Sequence, residues 1–162
     1  MTQMKVERTH DMEQVNSIMK NPAIWPHIHE DGTADDYRPS DHEGLHWMVV
    51  RDGDEVLGMF LVHARGEVCF EMHTCLLPNC WGRRAAQAAQ LLGKWVFNET
   101  RCEKLVTSVP SYNRLALRFA MAGGMRKEGV NQASYLRNGE LVDQIMLGIT
   151  KKEWLCQQQL SH

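Results

Sequence analysis

The sequence lacks any apolar run near the ~18 residues of a membrane-spanning helix. Its first residues, Met1 to His10, are polar and have no apolar signal-like core. No membrane partner and a cytoplasmic location are therefore expected. Cysteine occurs five times (Cys69, Cys75, Cys80, Cys102 and Cys156), an odd number with no Cys-x-x-Cys pair. That argues against a disulfide framework and predicts reduced thiols. Neither charge sign dominates: 18 Lys and Arg stand against 20 Asp and Glu, a formal net charge of -2. Such a balance gives no reason to expect nucleic acid or an anionic membrane as partner. Repeats, low-complexity tracts and linkers are also missing. What is present is ordinary for a globular chain, 43% hydrophobic and 23% charged over 162 residues. This predicts a single domain, 1–162, with a core large enough to need no staples.

The pattern of apolar residues predicts a mixed α/β (α+β) architecture. Met4 to Thr9 alternates as a strand. Asp11 followed by Gln14 resembles a capping box ahead of a helix carrying Met12, Val15, Ile18 and Met19 on one face. Asn21-Pro22 stops it, and Ala23 to Ile28 is a second short helix interrupted by Pro26. Glu30 to Gly44 is a polar, acidic loop. His46 to Arg51, Glu55 to Ala64 and Val68 to Leu77 form an antiparallel meander, with turns at Asp52-Gly53-Asp54 and Arg65-Gly66-Glu67. A long helix carries Ala85, Ala88, Ala89, Leu92, Trp95 and Val96. Leu105 to Val109 is a strand and Tyr112 to Met121 a helix ended by Gly123-Gly124. Arg126 to Tyr135 and Leu141 to Thr150 are two final strands joined at Asn138-Gly139. The polar tail from Lys151 is helical.

The junction Leu76-Leu77-Pro78-Asn79-Cys80-Trp81-Gly82-Arg83-Arg84-Ala85-Ala86 carries chemical meaning. A strand ends, a turn with one glycine follows, and a long helix begins. The first amides of a helix lack internal partners and face the positive end of its dipole, so such a turn suits a diphosphate.

From about Phe70 onward the chain resembles the GNAT acyltransferases, and among them the branch of ribosomal-protein N-terminal acetyltransferases. In that family a loop follows a strand: Gln or Arg, two residues, Gly, one residue, then Gly or Ala. Its amides hold the pyrophosphate of acetyl-CoA. Here Trp81-Gly82-Arg83-Arg84-Ala85-Ala86 occupies the loop: Ala86 fits the last position, Trp81 replaces the Gln or Arg, and Arg84 replaces the central glycine. The Arg84 side chain either swings out to clamp phosphate or lies across the turn and obstructs it. Ser108-Val109-Pro110-Ser111-Tyr112-Asn113 resembles the strand and asparagine that lead into the family's next helix. Gly124-Met125 stands for its Gly-Phe end, and Asn138-Gly139, Asp143 and Glu153-Trp154 for its closing hairpin. The resemblance implies a GNAT-like fold, acetyl-CoA as co-substrate, and cofactor contacts from Leu76, Leu77, Trp81 to Ala86 (Gly82, Arg83, Arg84 and Ala85 between), Asn113 and Arg118.

The attacking amine must lose a proton, and a carboxylate is a suitable acceptor. Glu71 matches the glutamate that serves as base in several GNAT members, ten residues ahead of Trp81. Strand alternation puts Glu71, His73 and Cys75 on one face and Phe70, Met72, Thr74 and Leu76 on the other. Glu71 and His73 are therefore the candidate bases. The tyrosine acid found in some members would fall at Ala120, seven residues after Asn113. Tyr112 is then the nearest available acid, and Asn113 a helix cap or pantetheine contact. The spacing of His27, His29, His42 and His46 fits no structural zinc pattern, so no metal is expected. The acidic loop is expected to draw a cationic amine. The implied reaction is acetyl transfer from acetyl-CoA to a primary amine, a peptide N-terminus or a small amine, by a monomer or homodimer. The alternatives are a catalytically silent member used for assembly, such as a phage head-assembly or accessory protein, and a CoA-binding sensor.

Overall fold

The computed structural model describes residues 3–161. Its elements are β1 (Met4–Arg8), α1 (Met12–Met19), α2 (Trp25–Ile28), β2 (Leu45–Asp52), β3 (Glu55–Ala64), β4 (Cys69–Leu76), α3 (Arg83–Glu99), β5 (Lys104–Pro110), α4 (Arg114–Ala122), β6 (Arg126–Arg137), β7 (Glu140–Thr150) and α5 (Lys151–Leu160). A short 3-10 turn, Pro78–Cys80, stands between β4 and α3. The predicted order of elements is the observed one. The strands form one seven-stranded sheet in the order β1-β2-β3-β4-β5-β7-β6. All neighbours run antiparallel except β4 and β5, which are parallel. Among the described residues no helix is long and apolar enough to cross a membrane.

Local chemistry explains the boundaries. Asp11 caps α1 by accepting from the Gln14 amide (3.1 Å), and Val15, Ile18 and Met19 face inward. Asn113 caps α4 through the Ala116 amide (3.1 Å). Thr150 and Glu153 form a reciprocal capping box for α5. Three expectations shift. Pro26 does not interrupt the second helix; it lies in the first turn of α2, where its missing N–H costs nothing. Tyr112 lies outside α4, because the helix starts after the Asn113 cap. The strand expected to end at Tyr135 runs on to Arg137, with register irregularities after Lys127 and Asn131.

Two apolar clusters cover opposite faces of the sheet. One packs α3, α4 and α5 against Phe60, Val62, Phe70, Met72 and Leu105; the Trp154 ring of α5 meets Phe97 of α3 at a tilt, centroids 5.5 Å apart. The other, with Val15, Ile18, Met19 and Ile24, covers Trp47, Val49, Met59 and Cys75. The five cysteines are unpaired thiols, and burial pushes the Cys75 thiol up to about 12. At neutral pH it is protonated, so it is packing rather than a nucleophile.

Candidate active site

The site is created by a gap in the sheet. The parallel ladder between β4 and β5 covers only Cys69↔Lys104, Phe70↔Leu105 and Glu71↔Val106. Thr107, buried, adds one further link by donating from Oγ1 to the Met72 carbonyl (2.9 Å). Beyond it the strands part. β4 stays with β3 as far as Gly58↔Leu76, while β5 follows β7 as far as Pro110↔Gln144. The opening is a cleft of about 620 Å³ that passes from one face of the sheet to the other. On the α1–α2 side its walls include Trp25, His29, Tyr37, Leu61, Glu71 and His73. On the α3–α4 side they include Ala89, Gly93, Asn113, Ala116, Phe119 and Ala120.

Glu71 and His73 share the face of β4 that looks into the α1–α2 side, as alternation predicts. The Glu71 side chain is 13% exposed and pairs with Arg65 Nε (Oε2 to Nε 3.5 Å). Directly across the β3–β4 ladder from Glu71 is His63. Its Nε2 lies 3.2 Å from His73 Nε2 and 4.0 Å from Glu71 Oε2. The two imidazoles stack with centroids 5.4 Å apart. His73 has its pKa lowered, first by desolvation and then by His63, with Glu71 acting the other way. It is thereby held neutral, with a nitrogen lone pair available for a proton.

Across the cleft, Tyr135 is 7% exposed and its hydroxyl has no hydrogen-bond partner among the described residues. The same holds for the hydroxyl of Tyr112, whose ring is 6.2 Å away. Burial raises the Tyr135 pKa, with Tyr112 adding to it, so this phenol stays a donor. Tyr135 lines the cleft, whereas Tyr112 stands outside its lining under the Arg137 guanidinium (4.0 Å to the ring). A polar group buried without a partner costs free energy unless something that binds there completes it.

The turn before α3 lies beyond the C-terminal end of β4. Gly82 has φ 83 and ψ -129, a conformation essentially restricted to glycine, and α3 has no side-chain N-cap. The first helical amides are therefore left for an external acceptor. Arg84 does not lie across them. Its guanidinium reaches the β2–β3 hairpin, 3.3 Å from Asp52 and 3.1 Å from Glu55, and donates to the Asn79 carbonyl (3.2 Å). Arg83 and Arg118 are exposed and make no ion pair among the described residues. Ala85 is buried against the core, while Ala86 is exposed and its amide bonds Gly82 O (3.2 Å). Trp81 is 49% exposed, and its indole N–H donates to the Leu76 carbonyl (3.1 Å), which takes up that acceptor. Leu76 is buried, and the Leu77 amide bonds Leu57 O (2.9 Å); neither side chain lines the cleft.

Most of the acidic loop stays outside. Asp35, Asp36, Asp41 and Glu43 are not in the cleft wall. Glu30, which is, accepts from the Leu136 amide (3.0 Å), and Asp31 from the Gly139 amide (2.8 Å). His63 and Tyr135 are the two groups that residue patterns did not single out.

The geometry agrees with comparison to known proteins. The family model of the acetyltransferase (GNAT) domain matches residues 4–126. A search of curated protein sequences gives no match. Among solved structures, spermidine N-acetyltransferase from Vibrio cholerae in complex with CoA and spermine superposes with a TM-score of 0.77 at 15% identity. The match covers 94% of this chain and 98% of that one. Mutant forms of the spermidine/spermine enzyme from the same organism give 0.78 at 14%, covering 96% and 98%. A GNAT-family acetyltransferase from Bacillus anthracis gives 0.60 at 22%, covering 65% and 66%. At such identities these likenesses establish the fold alone. The match of the family model across most of the sequence establishes more: this chain belongs to the GNAT acetyltransferase family.

Proposed function

We propose that the protein, acting as one unit over 1–162, transfers the acetyl group of acetyl-CoA to a primary amine. The observation that carries this reading is that Glu71 and His73 share one wall of the cleft, with His63 against both, at the point where β4 leaves β5. The α3–α4 side, lined by the small residues Ala89, Gly93 and Ala116, receives the pantetheine arm that extends from a diphosphate on the amides after Gly82. Asn113 stands in the same wall.

In this reading the amine nitrogen attacks the thioester carbonyl, an N–C bond forms and the C–S bond breaks. The amine proton passes by way of His73, which is exposed to the cleft, to the Glu71 carboxylate, the general base. Tyr135 faces them across the cleft and supplies a neutral donor for the oxygen or sulfur that gains charge. Glu71→Gln should leave acetyl-CoA affinity unchanged and lower turnover by roughly 10²–10⁴-fold, the worth of a general base. Free thiol release with a saturating amine, beside calorimetric affinity for acetyl-CoA, measures both. Wild-type turnover in this variant would remove the carboxylate from the reaction.

The acceptor end favours an amine borne on an apolar or aromatic group, such as a peptide N-terminus with a large first side chain or an arylalkylamine. Its wall holds Trp25, Ile28, Tyr37, Trp47 and Leu61, while its one loop carboxylate, Glu30, is already bonded. Trp25 is stacked on His29 (4.4 Å) and already carries the Lys20 ammonium at 3.5 Å, so a positive charge stands at this wall and a polycationic acceptor is disfavoured there. A matched panel should show kcat/KM higher for an arylalkylamine or such a peptide than for spermidine. A preference for the polyamine would overturn this choice.

A further inference from the structure

Glu71 and His73 of β4 and His63 of β3 together have a second chemical property. His63 Nε2 and His73 Nε2 face each other at 3.2 Å. Two neutral imidazoles in that position hold one proton between two lone pairs. His63 Nδ1 lies against the Ala64 carbonyl at 3.5 Å, the long end of hydrogen-bond range. A proton kept there leaves the His63 Nε2 lone pair pointing at His73. A carbonyl behind the far nitrogen is also the usual support of a metal-bound histidine. Zinc–nitrogen bonds of about 2.05 Å span a gap of this size at an N–Zn–N angle of about 100°, close to tetrahedral. Glu71 supplies the third ligand: one atom from each of the three side chains lies within 4.8 Å of the others. Glu71 Oε2 is 4.0 Å from His63 Nε2, so a rotation of its carboxylate completes the set in exchange for its contact with Arg65. Glu71 and His73 both line the cleft, which leaves the fourth position open to it.

We propose that His63, Glu71 and His73 form a binding site for a borderline divalent cation, Zn²⁺ by its ligand set, and that loading this site arrests acetyl transfer. Two imidazoles and one carboxylate with an open position suit zinc rather than magnesium or calcium, which seek oxygen. The cation takes the lone pairs that receive the amine proton. The inhibitory half rests on the acetyl-transfer reading; the binding half does not.

The test uses the full chain, stripped with a chelator and titrated with Zn²⁺ against a fluorescent competing chelator. One Zn²⁺ per chain should bind. His63→Ala and His73→Ala should weaken binding by at least roughly 100-fold, as loss of a direct ligand exceeds the usual cost of losing an outer contact. The double substitution His27→Ala/His29→Ala and the pair Cys69→Ser/Cys156→Ser should retain it. Thermal melting of each variant separates lost ligands from lost folding, and His73→Gln serves if His73→Ala does not fold. Absence of binding, or undiminished binding in folded His63 and His73 variants, overturns the site. Transfer by the stripped protein should stop with one equivalent of Zn²⁺ and return with chelator. Full turnover by the loaded protein overturns the inhibitory half. A stripped protein with no transfer to any amine overturns that half together with the acetyl-transfer reading and leaves the binding result to stand by itself.

Discussion

Arg84 stands where the family pattern has a glycine, and the outcome depends on one side chain. Its guanidinium is drawn to Asp52 and Glu55, which hold it away from the first amides of α3. The Glu55 carboxyl is held below its usual range by hydrogen bonds from Arg84 and then Asn79. A helical backbone costs an arginine nothing at this place, so replacing the glycine leaves the phosphate approach open. Arg84→Gly should therefore keep the dissociation constant for acetyl-CoA within about twofold while lowering the melting temperature, since three polar contacts to the hairpin and turn are lost. Calorimetry and thermal melting on the same variant check both. A large gain or loss of affinity would mean that the side chain reaches the cofactor.

The element whose position matters most beyond β4 is the β6–β7 hairpin, because it carries Tyr135. Its turn, Asn138-Gly139, has both residues at positive φ (53° and 77°), as such a tight turn requires. The loop after α2 ties it down through Asp31, which accepts from the Gly139 amide, and through Glu30, which accepts from the Leu136 amide. Backbone amides of the turn lower the Asp31 pKa, that of Gly139 first and that of Asn138 second. A carboxylate with a depressed folded-state pKa contributes stability above its unfolded pKa, and that contribution is lost as pH falls through the folded one. The stability gap between wild type and Asp31→Asn should therefore be full at roughly pH 6 and shrink below about pH 4. Urea unfolding across that range measures it. A gap that widens in acid would show that Asp31 does not act through its charge.

At the scale of the whole molecule, the cleft exists because a sheet with a core on each face is pulled open at one seam. β4 follows the β1–β3 half and β5 the β6–β7 half. The seam closes at three residue pairs and at the Thr107 hydroxyl. Thr107→Val keeps the shape but leaves the Met72 carbonyl without this donor in a buried place. Such a loss costs about 1–3 kcal/mol, readable by denaturant unfolding. Because the same contact sets where the strands part, acetyl-CoA affinity should fall with it. Unchanged stability and affinity would place the end of the seam elsewhere.

How much of this was legible in the sequence differs between elements and contacts. Short-range signals determined the elements: alternation in the meander, the Asp11 and Asn113 caps, Asn138-Gly139, and the strand-turn-helix at Gly82. They also put Glu71 and His73 on one face, because alternation needs no knowledge of neighbours. His63 was hidden by a matter of register. The turn read at Arg65-Gly66-Glu67 extends through Val68, with the Arg65 amide bonded to Cys69 O, and only that length sets His63 opposite Glu71. Tyr135 was hidden by the irregularity after Asn131, where four steps along β6 match two along β7 and Ala133 takes φ 50. The direction of Arg84, the closing of Glu30 and Asp31 onto a hairpin more than 100 residues away, and the parting of β4 from β5 are likewise contacts between distant segments. The sequence by itself determined the order of elements and the family. Tertiary structure alone decided which side chains meet, because register and strand separation are set by the packing of two cores and not by any local pattern.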